Sequence, residues 1–106
     1  NMTQDIRQLN RLTQQYPYEP GKAVRQPLAH SASLSISLYA IWRGSASAPC
    51  TAEGEALAIC LEGAAEAQRE VQMLPLCAGQ CLPLPAGSRF SFRGKENCKL
   101  LLIVAE

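Results

Sequence analysis

Apolar and polar residues alternate with a period of two along most of this chain, and recur at helical spacing only near its start. There Ile6, Leu9 and Leu12 share a helix face, Thr3 stands at an N-cap position and Asp5 falls in the first turn, which predicts a helix over 3–16. Pro17 ends it, and Pro20 keeps the chain from resuming a helix. Three apolar positions make a narrow stripe, suited to lying on the outside of something larger as a lid or a dimer strap.

From Gly21 onward the signals are those of strands and turns. Residues 23–28 form a first strand and 30–33 a polar turn. Over 34–42, Leu34, Ile36, Leu38, Ala40 and Trp42 fall on one face, and Ser35, Ser37, Tyr39 and Ile41 on the other, the pattern of a half-buried strand. A loop rich in Ser, Ala and Pro follows, then a strand over 56–61 that Glu62 and Gly63 close. Residues 64–68 and 71–76 read as a hairpin turning at Arg69 and Glu70, and 99–104 as the last strand. About eight short strands punctuated by Gly and Pro predict an all-β antiparallel sandwich or barrel. The division is a helix and linker over 1–20 and a β domain over 21–106, one core in 106 residues.

Composition narrows the function. The 47% apolar and 18% charged residues describe a folded domain. A net charge of +1 without a basic stripe gives no reason to expect nucleic acid or an anionic membrane as partner. No apolar run approaches the length of a membrane span, and the first residues lack the apolar segment of a signal peptide. The five cysteines cannot all pair within the chain and contain no C-x-x-C, so free thiols and a cytoplasmic location are expected. Cys77 and Cys81 are too few to make a zinc site alone.

One stretch organises the rest. Over 79–92, Gly79 turns into the short strand of Leu82 and Leu84, and Pro85, Ala86 and Gly87 turn the chain again toward Phe90 and Phe92. The glycines permit the positive φ that tight corners need, and Pro85 stops pairing where it lacks a donor. This resembles the second motif of the cupin family, G-x-x-x-x-x-P-x-G-x-x-H-x-x-x-N, with Gly79, Pro85 and Gly87 in place. Gly44 and Gly63 match the two ends of the family's first motif, and fifteen residues separate the motifs. The resemblance covers roughly 23–104 and implies a cupin-type jelly-roll barrel.

It also implies a metal held by three His and one Glu, and here this sequence departs from the pattern. Position by position, the motif-one histidines fall on Cys50 and Ala52, the glutamate on Ala56, and the motif-two histidine on Phe90, with Gly94 in place of Asn. The chain has a single histidine, His30, in the turn expected before the second strand. Glu55 is one residue out of register, which in a strand points it to the opposite face. No family-type metal site is expected, and no other cofactor is implied. If the barrel forms as in the family, Cys50, Ala52, Ala56, Phe90 and Phe92 point inward.

Two interiors follow from those residues. Phe90 fills the metal's space in a solid core, which is the default because cavities are costly. Alternatively Cys50, Ala52, Ala56, Ala58, Tyr39, Phe90 and Phe92 line an apolar pocket for a small apolar ligand. Cys50 is the reactive group of the set, and Arg43 or Arg89 are the cations expected to approach it. The expected function is a metal-free, non-enzymatic binding or assembly module, acting as a homodimer. The alternatives are a metal-independent epimerase or isomerase using Tyr39 and a carboxylate, and a metal enzyme with Cys50, Glu53 and Glu55 as relocated ligands.

Overall fold

Nine strands and one helix make up the described residues of a computed structural model, which describes the backbone of residues 9–106 and the side chains of 11–106. The helix α1 spans Leu9–Gln15, and the strands are β1 (Ala23–His30), β2 (Leu34–Ile41), β3 (Cys50–Thr51), β4 (Ala56–Glu62), β5 (Ala64–Arg69), β6 (Gln72–Cys77), β7 (Cys81–Leu84), β8 (Arg89–Gly94) and β9 (Cys98–Ala105). They form two antiparallel sheets, ordered β1-β2-β9-β4-β7 and β3-β8-β5-β6. The expected cap at Thr3, the acidic first turn at Asp5, and Ile6 lie outside the described residues, as does the side chain of Leu9.

The extra strand relative to the sequence reading is β3, two residues inside the loop that had no periodic signal. The corner at 85–87 holds it in place. Ser88 N donates to Pro85 O at 2.9 Å, Gly87 N donates to Ala52 O, and Ala52 N donates to Ser88 O, both at 2.8 Å. These bonds place Cys50 opposite Phe90 and Thr51 opposite Arg89. The first strand runs on to His30, the first residue of the expected turn, and its register shifts between Pro27 and Ala29, with Leu28 as the extra residue. The turn then closes on Ser31, whose hydroxyl accepts from the Leu34 backbone at 3.1 Å.

Between the sheets lies the main apolar cluster, which includes Tyr39, Ile41, Ala52, Ala58, Ala67, Phe90, Phe92, Leu100 and Leu102. The face of β2 carrying Ile36 and Leu38 belongs instead to a second cluster with Leu12, Leu28 and Leu101. Strand β2 is therefore buried on both faces, not on one as the alternation suggested. The helix is the reason: Leu12 covers the outer face of the chain's own five-stranded sheet. Buried Lys99, on β9, fastens it, donating to the Thr13 carbonyl and sitting 4.6 Å from the centre of the Tyr18 ring. A cation there meets the negative, carbonyl-rich end of the helix. Tyr18 in turn donates to Glu62 at 2.5 Å. No helix among the described residues is long and apolar enough to cross a membrane.

Candidate functional site

The positions that the family motifs assign to metal ligands do converge. Strand β3 brings Cys50 and, just beyond its end, Ala52; β4 brings Ala56 and β8 brings Phe90 to the inner cluster. What converges is a thiol, two methyl groups and a phenyl ring, and such a set does not fit a transition metal. Among the described residues no three His, Cys, Asp or Glu side chains gather closely enough to hold an ion. The relocated set Cys50, Glu53 and Glu55 is therefore not assembled, and His30 stands against Glu106. Cys77 and Cys81 are both exposed, unpaired thiols.

Phe90 does not plug the barrel. An opening of about 590 Å³ lies between the sheets, with Ala52, Phe90, Leu102 and Val104 as its apolar lining. Around them stand Arg25, His30, Ser35, Ser37, Cys50, Glu53 and Glu106. This corrects both interiors expected from the sequence: the barrel is not solid throughout, and its opening is not wholly apolar. Of the seven residues expected to line a pocket, Cys50, Ala52 and Phe90 do so. Ala56, Ala58, Tyr39 and Phe92 lie in the packed cluster beside it. The physical reason is ring stacking: Tyr39 meets Phe92 edge-on at 5.2 Å, and Phe92 meets Phe90 at 5.6 Å, so aromatic volume fills one part of the interior and leaves the other open.

The cation beside Cys50 is Arg25, not Arg43 or Arg89. Its guanidinium donates weakly to the Cys50 sulfur at 3.8 Å and lies 5.5 Å from the centre of the Tyr39 ring. Tyr39 is 2% exposed, and its hydroxyl has no well-formed hydrogen bond, although the Cys50 thiol adjoins it. Burial pushes this phenol up to about 12, against the pull of the Arg25 charge. A Tyr39 sealed in this way is poorly placed to exchange protons with a sugar in the opening. Burial likewise raises the Cys60 thiol to about 11 and the Cys98 thiol to about 12, so both pack as neutral apolar groups.

Arg25, Ser35, Ser37, His30 and Glu106 were not singled out as site residues from sequence. The two serines carried the clearest signal, polar positions on the same strand face as Tyr39, but alternation alone does not say what that face meets. His30 Nε2 stands 3.5 Å from Glu106 Oε1 at the rim, an ion pair when the imidazole is protonated. Neither could be placed without knowing that β1 and the end of β9 meet there.

Neither a family model nor a curated protein matches the chain in sequence. Solved structures match it throughout. A conserved protein of unknown function from Streptococcus pyogenes is 24% identical, with 100% of this chain and 92% of that one aligned at a TM-score of 0.84. A cupin 2 conserved barrel domain protein from Leptotrichia buccalis is 26% identical over 88% of this chain, at a TM-score of 0.82, and this chain spans 45% of its length. A cupin superfamily protein from Desulfitobacterium hafniense is 24% identical over 85% of this chain and 83% of that one, at a TM-score of 0.78. Two antiparallel sheets closed around one core, together with these likenesses, show that the chain has the fold of the cupin proteins it resembles.

Proposed function

We propose that this protein binds a small organic molecule in the opening between its sheets, with no resident metal and no catalysed reaction. The observation that carries the reading is the opening itself: about 590 Å³, with an apolar lining and a few convergent polar groups. That is the usual make-up of a small-molecule site. The test is a thermal melt of the whole chain against a panel of small acids, amines, amides and sugars, with metal content measured on the same preparation. One compound class is expected to raise the melting temperature; a ligand at one hundred times its Kd adds about 2.7 kcal/mol to stability. A panel without any effect, or about one equivalent of tightly held metal, overturns the reading.

We also propose that two copies associate. The helix no longer supports this, because Leu12 is spent on the chain's own sheet. Support comes from the outer edge of β6, where Met73 is 52% exposed and the adjoining Val71 93% exposed. Open strand edges of this kind favour pairing with another chain. Light scattering at micromolar concentration is expected to give twice the 11.5 kDa chain mass, and Val71→Lys with Met73→Lys to shift it toward the monomer. A wild-type monomer disposes of the proposal.

A further inference from the structure

The opening has one cation that no carboxylate answers. Among the described residues Arg25 makes no ion pair, whereas Lys22 pairs with Glu19 and His30 stands against Glu106. Its guanidinium reaches only the Cys50 sulfur, a weak acceptor at 3.8 Å, and this spends one of five N–H donors. The Tyr39 ring, 5.5 Å away, gives the planar group a face to lie against. So an arginine is already oriented at the wall of a cavity, with most of its donors unspent. Beside it the buried Tyr39 hydroxyl adjoins only the Cys50 thiol and makes no well-formed hydrogen bond.

Five charged or titratable groups line the opening: Arg25, His30, Cys50, Glu53 and Glu106. The carboxylate of Glu106 stands against His30 at 3.5 Å. That of Glu53 belongs to an exposed residue, where water screens it. Arg25 is left as the group whose geometry calls for a partner, and the planar fork of a guanidinium matches a carboxylate in two parallel hydrogen bonds.

We propose that the ligand of the opening is a small carboxylic acid with a compact apolar body. Its carboxylate takes the unspent donors of Arg25, and its hydrocarbon part rests on Ala52, Phe90, Leu102 and Val104. The serines Ser35 and Ser37 offer hydroxyls to any further polar group on the ligand. This deepens the binding reading above and rests on it.

The experiment is a calorimetric titration of the full chain with benzoate and isobutyrate, each beside its amide and its amine, with phenyl phosphate as a second anion. The acids are expected to bind at least tenfold more tightly than their amides, and binding should weaken as salt rises. Arg25→Ala is expected to cost the acids tenfold or more while leaving the amides unchanged. Glu53→Gln, which removes a like charge, should leave the acids as tight or tighter. Arg25 is exposed, so its replacement leaves the core intact, and circular dichroism of the variant confirms the fold. Amides or amines that bind as well as acids, or an Arg25→Ala variant that keeps acid affinity, overturn the carboxylate proposal while leaving a binding site. Phenyl phosphate binding more tightly than benzoate replaces the carboxylate with a phosphate ester. If nothing in either series binds, the carboxylate proposal falls, and the wider melting panel decides the small-molecule reading separately.

Discussion

Replacing Phe92 with alanine is expected to lower the free energy of unfolding by about 3–5 kcal/mol. The ring is 1% exposed and stacked between Tyr39 at 5.2 Å and Phe90 at 5.6 Å. Ala65 and Ala67, in the same cluster, are too short to fill the space it leaves, and hydrogen-bonded strands cannot move in to close it. Phe90 is the informative comparison. A filled barrel would make Phe90→Ala as costly as any aromatic deletion in a core. Because this ring also borders the opening, water replaces part of its volume, and the expected loss is smaller, about 1–3 kcal/mol. Urea unfolding of both variants measures the difference. Equal losses would mean that the opening is closed in solution, and the binding site would go with it.

The other large effect is at Gly63, between β4 and β5. Its φ is +76°, and a Cβ there would lie 2.0 Å from the carbonyl oxygen of Asn97 and 2.9 Å from the Cα of Cys98. Both are backbone atoms, so no side chain can swing aside. Left-handed strain alone costs an L-residue roughly 1–2 kcal/mol. The clash adds to that by forcing the corner away from the start of β9, and Gly63→Ala is expected to cost about 3 kcal/mol or more. Gly79 separates the two contributions, since its φ is +87° but nothing lies within 4 Å of where a Cβ would be. Gly79→Ala should therefore cost only the strain, about 1 kcal/mol. Thermal melts of the pair decide it; similar losses would refute the close approach at Gly63.

These two predictions draw on different levels of the chain. The corners were legible in the residues themselves, because a glycine between alternating runs and a Pro–Ala–Gly stop have few backbone conformations open to them. Gly44, Gly63, Gly79 and Gly87 all adopt positive φ, as a corner glycine permits. The strand pattern and the presence of a single histidine were equally local facts. From them followed the fold, and also the misfit between this interior and a metal.

Tertiary structure decided what each face meets. Alternation divides β2 into two faces but says nothing of what covers them. The helix at Leu12 buries the apolar face, and the serine face turns toward the opening. The inward direction of Phe90 was readable, yet whether its ring plugs the barrel or borders a cavity depends on how the two rings of β8 stack with Tyr39 of β2. Arg25 carried no signal at all in a polar stretch of β1. It became a site residue only when a bulge at Leu28 and the pairing of β3 with β8 set it beside Cys50, because side chains twenty-five residues apart share no local pattern that spacing can reveal.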